Sequence, residues 1–180
     1  LAVSSILMKL LMIFSYFTDG FAYAGEALVG RYVGAGDRAM YKESVKWTFI
    51  WSMSIALIFM GIYHFAGVPM LKMMTSDVQV IEAARQYLPW LLLMPVVGCA
   101  AFTWDGIYIG ATASKDMRDS MLLAVVSFAG IWACGIFALR FMDFDETAYN
   151  TMAVHVLMAA YFAHLLARTI YLSVRYRKII

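Results

Sequence analysis

The sequence predicts an all-α fold, a polytopic transmembrane helix bundle with five spans. Three observations predict it. Five stretches are apolar over the roughly 20 residues needed to cross about 30 Å of hydrocarbon. The chain is 63% apolar and only 14% charged, with a mean hydropathy of +0.75, whereas a soluble domain is about 45–50% apolar and about 25% charged. The charges gather in short connectors. So much apolar surface needs a lipid bilayer as its solvent, and in lipid only helices satisfy every backbone group within one segment. The net charge of +2, with no long basic run, argues against a nucleic-acid partner.

The spans are predicted at about 7–33, 47–67, 88–111, 121–141 and 152–174. The chain opens on Leu1 and enters an apolar run that Lys9 interrupts, with no small-residue cleavage site after it. That pattern does not suit a signal peptide, and the start is expected to lie inside a longer protein. Gly34 and Gly36 can end the first span, and Asp37 can cap the next helix. Residues 38–46 read as an amphipathic elbow. Residues 68–87, with Pro69, read as a connector holding a short helix capped by Ser76 or Asp77. Pro89 suits the first turn of the third span, while Pro95 lies inside it and frees the carbonyl of Leu91. Ser120, Ser127 and Cys134 repeat every seven residues along the fourth span, the pattern of a close-packed seam. Cys99 and Cys134 both sit in apolar runs and imply no disulfide.

Orientation follows from the connectors. Arg31, Arg38, Lys42, Lys46, Lys115, Arg118, Arg175, Arg177 and Lys178 fall on one side, nine basic residues in all. The other side has three, Lys72, Arg85 and Arg140, the last beside Asp143, Asp145 and Glu146. The positive-inside rule makes the first side cytoplasmic, together with the carboxy terminus. Leu1 is then expected on the outer side, with further spans upstream.

Acids inside the spans carry the chemical information. A carboxylate at a helix centre costs about 2.5–3.5 kcal/mol on insertion scales and marks a functional site by default. Asp19 and Glu26 lie two turns apart on one face, with Tyr16, Ala22, Tyr23 and Gly30. Asp105 is accompanied by Tyr108 and Thr112, whose hydroxyls could serve it. A low-dielectric cavity disfavours the charged carboxylate, so each acid is a candidate to bind a proton or sodium ion. Tyr23 and Trp104 are candidate walls for apolar organic cations, and the fourteen methionines suit adaptable surfaces. Each acid could instead fix packing by hydrogen-bonding a neighbour, and Glu26 could simply face Arg31. In the last span His164 and Arg168, one turn apart, could relay protons or bind an anion, although Arg168 could also snorkel to the surface. His155 and His164 share one helix, which does not suit a haem pair. No phosphate-binding G-x-x-x-x-G-K-[ST] loop, zinc-binding His-Glu-x-x-His or G-x-S-x-G elbow occurs. The reading is therefore not an enzyme, with no metal and no cofactor beyond a coupling ion.

The run from Asp19 to Asp37, ending in Val29-Gly30-x-x-x-Gly34-Ala35-Gly36-Asp37, resembles the eighth helix and following turn of the multidrug and toxic compound extrusion (MATE) family. The pair Asp19 and Glu26 is more similar to its bacterial DinF branch. Residues 102–118 resemble the tenth helix and its basic cytoplasmic turn. The resemblance implies a twelve-helix protein of two six-helix lobes, of which this chain would supply helices eight to twelve. An amino-terminal lobe and one further helix would lie outside it. It implies export of drugs, organic cations or metabolites from the bacterial inner membrane in exchange for protons or sodium ions. Asp105 matches an aspartate that takes part in cation binding in the sodium-coupled branch. The alternatives are a lipid-linked oligosaccharide flippase of the same superfamily and a membrane scaffold subunit.

Overall fold

A computed structural model describes residues 2–142 and 144–179; the expectations for Leu1 and Asp143 lie outside the described residues. The chain is helical almost throughout: α1 (Ala2–Gly34), α2 (Arg38–Met74), α3 (Val78–Arg85), α4 (Leu88–Gly110), α5 (Ser114–Leu139) and α6 (Glu146–Arg175), then a 3₁₀ turn at Tyr176–Lys178. Five of these helices are long and apolar enough to cross a membrane. Each of the five predicted stretches lies in one of them, or ends within two residues of it.

The helix punctuation follows local chemistry. α1 stops at Gly34, and Gly36 takes a left-handed φ of +69°, which glycine adopts without the clash a Cβ would bring. Asp37 then caps α2, its Oδ1 accepting from the amides of Ala39 (3.1 Å) and Met40 (3.0 Å). Asp77, not Ser76, caps α3, accepting from Gln79 at 2.9 Å and Val80 at 3.4 Å. The expected elbow at 38–46 is not separate. It is the first part of α2, whose buried stripe of Tyr41, Ser44, Val45 and Thr48 runs on without a break into Ser52, Ala56, Phe59 and Tyr63. One continuous buried stripe gives the helix no reason to bend there.

The chain divides at Thr112 into two compact units. In the first, α1, α2 and α4 pack together and α3 closes one end through Ile81 and Ala84. Named contacts set the register. α2 runs antiparallel to α1: the Tyr63 hydroxyl donates to the Leu10 carbonyl at 2.6 Å, the Phe14 and Phe59 rings meet edge to face at 5.6 Å, and Gly25 lies against Thr48. α4 runs parallel to α1, with Gly106 against the carbonyl of Ala22 and Gly110 against that of Glu26. A side chain on either glycine would overlap backbone, so glycine is required at this crossing.

In the second unit α5 and α6 form a hairpin. Ser120, Ala124 and Leu139 of α5 are buried, and Gly135 lies against Val156 of α6. The seven-residue seam is therefore corrected: Ser120 belongs to it, but Cys134 is exposed and its neighbour Gly135 takes the contact. At the open end of the hairpin Arg175 Nη1 donates to Asp116 Oδ1 at 2.9 Å, and its guanidinium lies over the Tyr171 ring at 5.1 Å. At the turn Asp145 caps α6 through the amide of Ala148.

Candidate ion and substrate site

The glycine crossing decides where the acids stand. Because Ala22 meets Gly106, Asp19 and Asp105 differ in depth by two residues, about 3 Å along the helix axes. Glu26, level with Gly110, lies about 7.5 Å beyond Asp105 and about 10.5 Å beyond Asp19. α2 covers one side of the α1–α4 pair, through Thr48 on Gly25, Phe59 on Phe14 and Phe49 on Trp104. By helical phase, Asp19 and Asp105 fall on the other flank. On that flank Tyr16 and Tyr23 are 68% and 69% exposed, and Ile109 of α4 is exposed too. Asp19, Glu26 and Asp105 are all half-buried, with Oδ1 of Asp105 fully covered.

The remaining sequence-predicted residues are distributed differently. Tyr108 and Trp104 are in the interior of the first unit, edge to face at 5.9 Å, and Trp104 also meets Phe49 at 4.7 Å. Trp104 is thus buried on the α2 side of α4, while Tyr23 stands on the open flank of α1. Thr112 lies past the last residue of α4 with a positive φ of 54°, and its hydroxyl donates to the carbonyl of Ala111 at 2.8 Å. Glu26 makes no ion pair with Arg31 among the described residues; the Arg31 guanidinium lies instead over the ring of Tyr32. In the second unit the His164 ring is stacked on Tyr161, 6.1 Å between centroids and 6° apart in plane. Arg168 is only 7% exposed, so it does not snorkel. Among the described residues no group of three His, Cys, Asp or Glu side chains is placed to hold a metal.

Two features escaped the sequence reading. The Arg175–Asp116 pair joins residues 59 apart, beyond any local pattern. The glycine crossing did have a signal, Gly106-x-x-x-Gly110, the small-xxx-small spacing that lets membrane helices approach closely.

Comparison with known proteins bears on the family. The chain is 39% identical over 129 residues to the DNA damage-inducible protein F of Escherichia coli (strain K12), an alignment covering 72% of this chain and 28% of that protein. The chain thus spans less than a third of the length of the curated relative it matches. No solved structure gives a significant match. The MatE profile matches residues 1–138, which take in the whole glycine crossing and both aspartates. With five long apolar helices, this multi-pass membrane chain belongs to the MatE family.

Proposed function

We propose that the complete protein is a secondary active efflux transporter. It exchanges protons or sodium ions for organic cations, drugs or metabolites across a bacterial inner membrane, with its carboxy terminus in the cytoplasm. One observation carries this reading: Asp19 and Asp105, from different helices, stand at one depth on the flank of the α1–α4 pair that α2 leaves open. Carboxylates within membrane spans are costly unless polar partners, water, an ion or a cationic substrate meet them, and such residues mark ion and substrate pathways. Tyr16 and Tyr23 offer aromatic faces beside the acids to a cation.

The chemistry asked of these residues is simple. A carboxylate that binds a proton or sodium ion on one side of the membrane becomes neutral in effect, and the substrate leaves. When access alternates, the ion is released and the negative site again attracts a cation. Alternating access of this kind needs a second half moving against this one. The proposal therefore concerns the complete protein and includes its amino-terminal lobe as a partner. His164 and Arg168 of α6 are proposed as a secondary group, available to relay protons or meet an anion.

The test uses the full-length protein in sealed vesicles with an imposed ion gradient. Asp105→Asn and Asp19→Asn should each lower cation-driven efflux at least tenfold while insertion and yield stay normal. Unchanged efflux with unchanged ion dependence in both variants removes the two acids from the mechanism.

A further inference from the structure

We propose that the centre of the first unit holds one buried water molecule, bound between the hydroxyls of Ser52 on α2, Thr18 on α1 and Thr103 on α4. This inference does not rest on the transport reading.

It starts from an anomaly on α2. Hydroxyl side chains in apolar helices usually donate back to the carbonyl four residues earlier. Ser44 does so to Met40 at 2.8 Å, Thr48 to Ser44 at 2.8 Å and Ser54 to Ile50 at 2.7 Å. Ser52, on the same buried stripe as Ser44 and Thr48, does not. Its side chain is 2% exposed, and its Oγ has no hydrogen-bond partner among the described residues. Buried polar atoms in native proteins are normally satisfied by protein or by ordered water.

The register shows what surrounds it. The pairings Leu10–Tyr63, Phe14–Phe59 and Gly25–Thr48 put Ser52 level with Phe21 of α1. The pairings Ala22–Gly106 and Glu26–Gly110 put Thr103 level with Asp19. Thr18, Ser52 and Thr103 therefore lie within three residues of one another in depth, about 4.5 Å. Thr18 is 1% exposed and Thr103 is 0% exposed, so all three hydroxyls belong to the interior.

Their bonding leaves donors and acceptors for a water. Thr18 already donates to the Phe14 carbonyl at 3.2 Å and keeps its lone pairs. Thr103 has Cys99 Sγ at 3.9 Å, a weak partner that leaves its oxygen able to accept. A water can accept from Ser52 and donate to Thr18 and Thr103, which gives it the two to four polar partners a buried water needs. A neutral guest suits the place better than an ion, because none of the three side chains supplies a countercharge.

The experiment uses the full-length protein in lipid nanodiscs, with infrared difference spectra recorded in ordinary and oxygen-18 water. A weakly hydrogen-bonded O–H stretch that shifts with the isotope is expected in the native protein. It should vanish in Ser52→Ala and persist in Ser54→Ala. In parallel, Ser52→Ala and Thr103→Val should each lower the unfolding midpoint, and the double variant should lose little more than the worse single one. Should Ser52→Ala not fold, Thr103→Val carries the same spectral test. No isotope-sensitive band that depends on Ser52 or Thr103, additive shifts, or a Ser52→Ala protein more stable than the native one would each overturn the proposal.

Discussion

Replacing Gly106 with alanine is the sharpest perturbation the first unit offers. A Cβ built there overlaps the carbonyl oxygen of Ala22 and crowds its carbon at 2.7 Å and its Cα at 2.9 Å. These are backbone atoms in the middle of a hydrogen-bonded helix, so no rotamer change relieves the contact and α1 and α4 must move apart. Overpacking of this sort costs about 1–3 kcal/mol. Alanine also gains up to about 1 kcal/mol over glycine in a helix, so the control must share that gain. Gly61 of α2 and Gly130 of α5 supply it, since a Cβ at either meets nothing within 4 Å. Gly61→Ala and Gly130→Ala should be neutral or up to about 1 kcal/mol more stable. Gly106→Ala should fall about 1–3 kcal/mol below them. The assay is reversible unfolding of the full-length protein in mixed micelles, with the three variants measured side by side. A Gly106→Ala protein that unfolds at or above the Gly61→Ala midpoint would refute the close crossing, and with it the depth assigned to both aspartates.

Tyr63→Phe removes a buried hydroxyl whose partner, the Leu10 carbonyl, lies on another helix at 2.6 Å. Interhelical hydrogen bonds in membranes average about 0.6 kcal/mol and reach about 1.7, so a loss near the upper figure is expected in the same unfolding assay, and no loss would mean that the bond is not formed. Asp116→Asn should weaken the hairpin by less than about 1 kcal/mol, because its partner Arg175 is partly exposed and such pairs are screened by water and salt. Raising salt should shrink the native–variant difference, and the swap Asp116→Arg with Arg175→Asp should recover part of it; a salt-independent difference would place the effect elsewhere.

Much of the fold was legible because its causes are local. Apolar length is counted along one helix at a time, and caps such as Asp37 and Asp77 act within three residues. The elbow at 38–46 was misjudged because its polarity was read without the stripe running through Tyr41, Ser44 and Thr48 into the span. The depth of the acids was not legible, since it depends on which residue of α1 meets Gly106. Nor were the roles of the aromatic residues: Trp104 and Tyr23 look alike in sequence, yet helical phase buries one and leaves the other open. The Arg175–Asp116 pair needed the hairpin to close before its partners met.

α2 has 37 residues, which is about 55 Å of helix, set in a layer of oil about 30 Å thick. Tilt can absorb part of the difference, and the remainder stands in the headgroups or beyond them. Its buried stripe runs without a break from Tyr41 to Leu71, so α2 packs as one continuous element rather than as a span with a separate elbow. Pro69 lies within its last turns, where the missing N–H frees the carbonyl of Phe65 and makes that end, rather than the middle, the place where the helix can bend.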